Sequence, residues 1–168
     1  MNKIILKQLL ILLIAPVCLF SFTSKPDRLN FSGDWKLNES KSDLGQYANF
    51  ATRSITTLQS NDSIAISRTS PSMDGEDITT HETLTFDGKE CQTNLMGDSK
   101  KIASLKWADD GKTFTVTFKL HLDFNGQQIE IDGTEKWDMT DDGKTLVLET
   151  NSSSSFGDIS TKSVFDKQ

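Results

Sequence analysis

From about residue 30 the chain alternates between apolar and polar positions. The clearest case is Thr113 to Phe124. There Phe114, Val116, Phe118, Leu120, Leu122 and Phe124 share one face, and Thr113, Thr115, Thr117, Lys119, His121 and Asp123 share the other. Alternation sustained over twelve residues predicts a long strand with one dry side. Asn125-Gly126 follows, a pair that tolerates the positive φ angles of a tight hairpin. The partner strand places Ile129, Ile131, Gly133, Trp137 and Met139 on one face.

The tripeptide Asp-Gly-Lys occurs at 87–89, 110–112 and 142–144. In each the Gly suits a left-handed position and the Asp can bond the neighbouring backbone N–H groups, so all three read as hairpin turns. A calcium loop would need ligands at alternate positions over a longer loop, so plain hairpin turns are the expectation. The pattern predicts about ten strands, at roughly 31–38, 52–59, 63–69, 78–86, 90–95, 100–108, 113–124, 127–139, 145–151 and 159–166. Links are short except 39–51, with room for one helical turn or two, and 70–77. The run Asn151 to Gly157, rich in Ser, reads as a loop. Short links between sequential strands give an antiparallel meander. Ten strands with one apolar face each hide their edges best by closing, so the expected fold is an all-β, up-and-down barrel of 8–10 strands. A half-open barrel and a two-layer sandwich are the other solutions.

Residues 1–24 read differently. Lys3 and Lys7 precede an apolar run without acids, followed by small residues, the signature of a secretory signal peptide. The expected product is an exported chain, periplasmic or extracellular, with a single barrel domain over 25–168. An uncleaved N-terminal anchor, or lipidation at Cys18, is the alternative and the only expected link to a membrane. The whole chain carries 18 basic and 24 acidic residues; without Lys3 and Lys7 the balance is −8. Such a surface is repelled by phosphate backbones, and with no basic stripe a nucleic-acid partner is not expected. Cys91 alone remains beyond the leader, so no internal disulfide can form, and it reads as a half-buried strand residue.

The stretch Phe31 to Gly45, FSGDWKLNESKSDLG, then carries a resemblance. Gly33-x-Trp35 on a first strand is similar to the opening of the lipocalin and fatty-acid-binding superfamily. Gly-x-Trp-Lys-Leu-Asn followed by Lys-Ser resembles more closely a group of exported bacterial lipocalin-like (calycin-type) proteins of largely unassigned function. Phe86 to Lys89, Glu135 to Trp137 and Val164 to Lys167 match further short motifs of that group. The resemblance covers most of 31–168 and implies a barrel, with a Trp plugging one end. It departs from fatty-acid-binding proteins in having too few residues between its first two strands for a helix-turn-helix lid. The Arg that packs beside the first-strand Trp in secreted lipocalins has no clear counterpart.

Three charges break the apolar faces. Arg68 falls in line with Ile64 and Ile66, Glu82 with Ile78, Leu84 and Phe86, and Glu135 with Ile129, Ile131, Trp137 and Met139. An inward charge is costly unless it is paired or faces a wet cavity. Arg68, Glu82 and Glu135, with Trp35, Trp107 and Trp137, are therefore the candidate ligand-binding residues. The competing expectation is that the charges pair with one another and the tryptophans are core. No catalytic residue and no metal ligand is assigned, and no cofactor is expected. His81 and His121 lie on outward faces without partners at metal-ligand spacing. No nucleophile elbow or phosphate loop occurs. The expected function is binding of a small apolar molecule in the barrel by a monomeric protein. A packed barrel acting as an envelope interaction protein comes second, and a hydrolase using Glu82 and Glu135 last.

Overall fold

The computed structural model of the chain describes residues 27–72, 75–95, 97–124, 127–140 and 142–168. The leader, Cys18 and the Asn125-Gly126 turn lie outside the described residues. The strands are β1 (Gly33–Leu37), β2 (Ser54–Gln59), β3 (Ser63–Pro71), β4 (Asp77–Thr85), β5 (Cys91–Asn94), β6 (Lys100–Trp107), β7 (Phe114–Phe124), β8 (Gln127–Met139), β9 (Thr145–Ser154) and β10 (Gly157–Lys167). They form one antiparallel sheet in the order β4-β3-β2-β1-β10-β9-β8-β7-β6-β5. Every strand pairs with its sequence neighbours except β4 with β5, and β1 pairs with β10, so the meander curls into a barrel. Among the described residues no backbone ladder joins the end strands β4 and β5. Side chains close that seam. Phe86 meets Trp107 edge to face at 5.4 Å, Thr85 Oγ1 lies 3.8 Å from Cys91 Sγ, and Lys101 Nζ donates to Glu82 at 2.9 Å. The fold is thus the expected all-β, up-and-down barrel, nearly closed.

The register confirms the alternation. Phe114, Val116 and Phe118 are buried on β7, and Trp137 and Met139 on β8, with Phe114 opposite Trp137. The Asp-Gly-Lys segments at 110–112 and 142–144 are hairpin turns as expected, but 87–89 links β4 to β5, which do not pair, so it turns the chain without making a hairpin. The Asp carboxylate accepts from the Lys backbone N–H two residues on, at 3.1, 2.9 and 3.1 Å for Asp87, Asp110 and Asp142. A second expectation is corrected. The serine run is not a loop, because β9 continues through Ser154 and Ser152 pairs with Gly133 on one side and Ile159 on the other. Ser has little strand preference of its own, and ladders on both sides override it. Between β1 and β2 the chain makes two short 3-10 turns, Glu39–Lys41 and Gly45–Phe50. Asn38 caps the first by accepting from the Lys41 N–H.

The two ends of the barrel differ. At the end that holds the Asp-Gly-Lys turns, Phe31, Trp107, Phe114 and Trp137 pack ring against ring with centroids 4.8–6.4 Å apart. Arg28 lies over the Phe86 and Trp107 rings, closing that end. Toward the other end the inward residues Ile78, Leu120, Leu122, Ile129, Ile131 and Ile159 are only half-buried. Here the 45–50 turn lies at one side of an open mouth.

Gly133 sets the packing where the two halves meet. A Cβ there would lie 2.4 Å from Phe118 Cζ and 2.8 Å from the Asn151 carbonyl oxygen. Relief of strand entropy would favour Ala over Gly by roughly 0.5–1 kcal/mol, but overlap with a backbone oxygen outweighs it. Gly133→Ala is expected to destabilise by roughly 1–3 kcal/mol, lowering the melting temperature by several degrees. Adding Phe118→Leu should recover part of the loss. An unchanged melting temperature in Gly133→Ala would contradict this packing.

Candidate functional site

The inward charges come together at mid-height in the barrel. Arg68 on β3 reaches across to Glu135 on β8 with both guanidinium ends, Nη1 to Oε1 at 3.2 Å and Nη2 to Oε2 at 2.6 Å. The same Nη2 lies 3.4 Å from Glu82 Oε1 on β4. Lys101 on β6, which the alternation reading passed over, approaches both Glu82 oxygens at 2.9 and 2.8 Å. The signal was present: Lys101 shares its face with Ala103, Leu105 and Trp107. The layer holds two cations and two carboxylates, net neutral, with all four side chains largely buried.

Planar fork meets planar carboxylate at Arg68–Glu135, the geometry that makes such pairs short and directional. Burial, the largest single influence on Glu135, pushes its pKa up. The charges of Arg68 and Lys101, with hydrogen bonds from Arg68 and Trp137, outweigh it and hold the group below the ordinary Glu value. For Arg68 burial pushes down and the two carboxylates push up, with the net upward. Arg68 Nε is buried and has no partner among the described residues.

The tryptophans take three different places. Trp137 backs the charge layer: its indole N–H donates to Glu135 Oε2 at 3.2 Å, and the Arg68 guanidinium lies 5.3 Å from its ring centre. Trp35 donates to Thr57 Oγ1 at 3.1 Å and is capped by the Lys167 ammonium 5.2 Å from its ring. Gly33 leaves room for that arrangement, since a Cβ on it would touch Lys167 Cε at 3.0 Å. The cation over the first-strand Trp is thus Lys167. Trp107 belongs to the aromatic cluster at the closed end. His81 is exposed and bonded to Ser67, and His121 faces the exposed Glu130.

Directly on the charge layer sits a cleft of about 260 Å³. Arg68 and Glu135 line it, Leu148, Ile159 and Phe165 give it apolar walls, and Thr52, Thr150, Thr161 and Ser163 bring hydroxyls. Leu44, Tyr47, Phe50 and Ala51 cover one side. A larger depression of about 670 Å³ runs over Gly133 between Asp132 and Asp158, but it is shallow and includes no member of the charge layer. None of the three tryptophans lines the smaller cleft; Trp137 supports it through Glu135 and Arg68. Among the described residues no group of His, Cys, Asp or Glu is placed to hold a metal ion. The arrangement offers shelter, shape and hydrogen bonds. Glu135, held ionised, is the reverse of the protonated carboxyl that general-acid chemistry requires.

No family model matches the chain, and no curated protein matches it. Among solved structures it is similar to zebrafish ileal bile acid-binding protein complexed with cholic acid. The two share 15% identity over 82% of this chain and 98% of that one, with a TM-score of 0.49. So distant a likeness carries no argument about what this chain binds.

Because the Glu135 pKa is depressed, its contribution to stability is complete above the ordinary Glu range and is lost as pH falls through the lower folded value. Glu135→Ala strands Arg68 and should cost about 3–5 kcal/mol at neutral pH. The gap between variant and wild type should narrow as pH is lowered below about 4.5. Denaturant unfolding across pH checks both; a gap that is constant or grows toward acid would contradict the pairing.

Proposed function

We propose that the barrel binds a small, mainly apolar molecule in its open half, with the charge layer as floor and the 45–50 turn as a side wall. The observation that carries this reading is the contrast between the two halves. Inward residues below the charge layer, such as Phe114, Val116 and Leu146, are buried among themselves, whereas Ile78, Leu120, Ile129, Ile131 and Ile159 above it are not. Apolar groups facing a concave mouth, with a few convergent polar groups, are what ligand sites are made of. The cleft falls just below the about 300–1,000 Å³ of ordinary sites, so the occupant is small. Arg68 and Glu135 touch it, Glu82 acts through Arg68, and Trp137 supports it from behind.

The chain is placed by this reading among exported bacterial lipocalin-like proteins, acting as a monomeric binding protein outside the cytoplasm. Support comes from the leader-like residues 1–24 and from the Gly33-x-Trp35, Glu135 to Trp137 and Val164 to Lys167 motifs.

Binding is read with N-phenyl-1-naphthylamine, whose emission rises and shifts to the blue in an apolar site. Wild type should bind it. Thr161→Phe, which fills the cleft, should weaken binding by about tenfold or more, some 1.4 kcal/mol, while the melting temperature moves little. Equal binding by Thr161→Phe, or no binding by wild type, would favour a packed barrel that works through its surface.

A further inference from the structure

The chemistry of the floor says what kind of molecule the cleft takes. We infer that the occupant is uncharged, with hydroxyl or carbonyl oxygens on an apolar body, and that the balanced Arg68–Glu82–Lys101–Glu135 layer excludes anions. This rests on the reading of the cleft as a ligand site.

A lone buried Arg would invite a carboxylate or sulfonate. Here Arg68 is already spent: two of its nitrogens are committed to Glu135 at 3.2 and 2.6 Å, and Glu82 lies 3.4 Å from one of them. Lys101 is likewise held by both oxygens of Glu82. An incoming anion would face Glu135 across the cleft or have to displace it from Arg68. Displacement would leave a buried carboxylate without its partner, and truncation of one member of such a pair costs several kcal/mol. A cation in the cleft would meet only Glu135, already paired with Arg68; Glu82, whose Oε2 accepts no hydrogen bond among the described residues, does not line the cleft. The other polar groups on the cleft wall are neutral hydroxyls. Thr150, Thr161 and Ser163 bring hydroxyls to the cleft wall, and each can donate or accept, whereas the Thr52 hydroxyl is already bonded to Ser70. Arg68 Nε adds one buried donor at the level of the floor. These groups match alcohol, ketone or ester oxygens on an aliphatic or aromatic frame.

The test uses two probes with the same anilinonaphthalene body. N-phenyl-1-naphthylamine is neutral and 8-anilino-1-naphthalenesulfonate carries a sulfonate. Both are titrated into wild type at physiological salt, where the field of distant surface charges is screened. The expected result is at least tenfold tighter binding of the neutral probe. Glu135→Gln, and independently Glu82→Gln, leave the floor with one excess positive charge and should move the ratio toward the sulfonate by at least tenfold. Glu130→Gln changes the net charge equally at an exposed site and should leave the ratio alone; circular dichroism establishes that each variant is folded. Equal or tighter sulfonate binding by wild type would overturn the inference while leaving the ligand site standing. A ratio that shifts as much in Glu130→Gln as in the floor variants would overturn it too, by assigning the preference to overall charge. Failure of both probes to bind would remove the ligand site and the inference together.

Discussion

Four charges inside a barrel must settle their account among themselves. Arg68, Glu82, Lys101 and Glu135 come from β3, β4, β6 and β8; Arg68–Glu82 reinforces the β3–β4 ladder, while Arg68–Glu135 and Lys101–Glu82 tie together strands that no ladder joins directly. The Lys101–Glu82 pair crosses the open seam near β4 and β5, and the Arg68–Glu135 pair spans the interior. Each group is tolerable only because the others are present: isolated burial of any one carries a large desolvation cost that its partner offsets. The layer therefore does two structural tasks. It holds the seam where backbone hydrogen bonds are missing, and it ends the apolar packing that begins at Phe31 and Phe114.

That ending creates the site. Below the layer the aromatic side chains fill the barrel and Arg28 covers the last of them. Above it the strands continue, and β7 and β8 still carry apolar residues inward, but β9 and β10 contribute Thr150, Ser152, Thr161 and Ser163 instead. Small hydroxyl side chains do not fill the space that Phe and Trp fill lower down. The result is a cleft whose β9 and β10 wall mixes Leu148, Ile159 and Phe165 with hydroxyls, over an electrically balanced floor. The 45–50 turn, braced by Leu44 beneath it, narrows the entrance on one side.

Much of this was written in the alternation. The strands, the Asp-Gly-Lys turns and the three charges that interrupt dry faces follow from period-two patterning, because a strand sends every second side chain to the same face. Lys101 was equally readable from its spacing to Ala103, Leu105 and Trp107. It was hidden by the adjacent Lys100, since two consecutive lysines look like a solvated surface. The strand character of Ser152 to Ser154 was not legible, because it comes from ladders to β8 and β10 and not from the serines. Which charges would meet was also beyond the pattern, for it depends on register and closure between strands up to 67 residues apart. Closure of the seam by side chains, in place of a ladder, has no local signature at all.

The central claim is that the charge layer divides the barrel into a solid half and an open half. Residue-resolved amide hydrogen exchange tests it most directly, because local opening is easiest where few apolar contacts are buried. Amides of Val116, Trp137 and Leu148, below or at the layer, should exchange only when the whole protein unfolds. Those of Leu122, Ile129, Ser152 and Ile159 should exchange much faster, through openings confined to the mouth. Uniform protection along β7, β8, β9 and β10 would mean that the barrel is one continuous core, and would contradict the account.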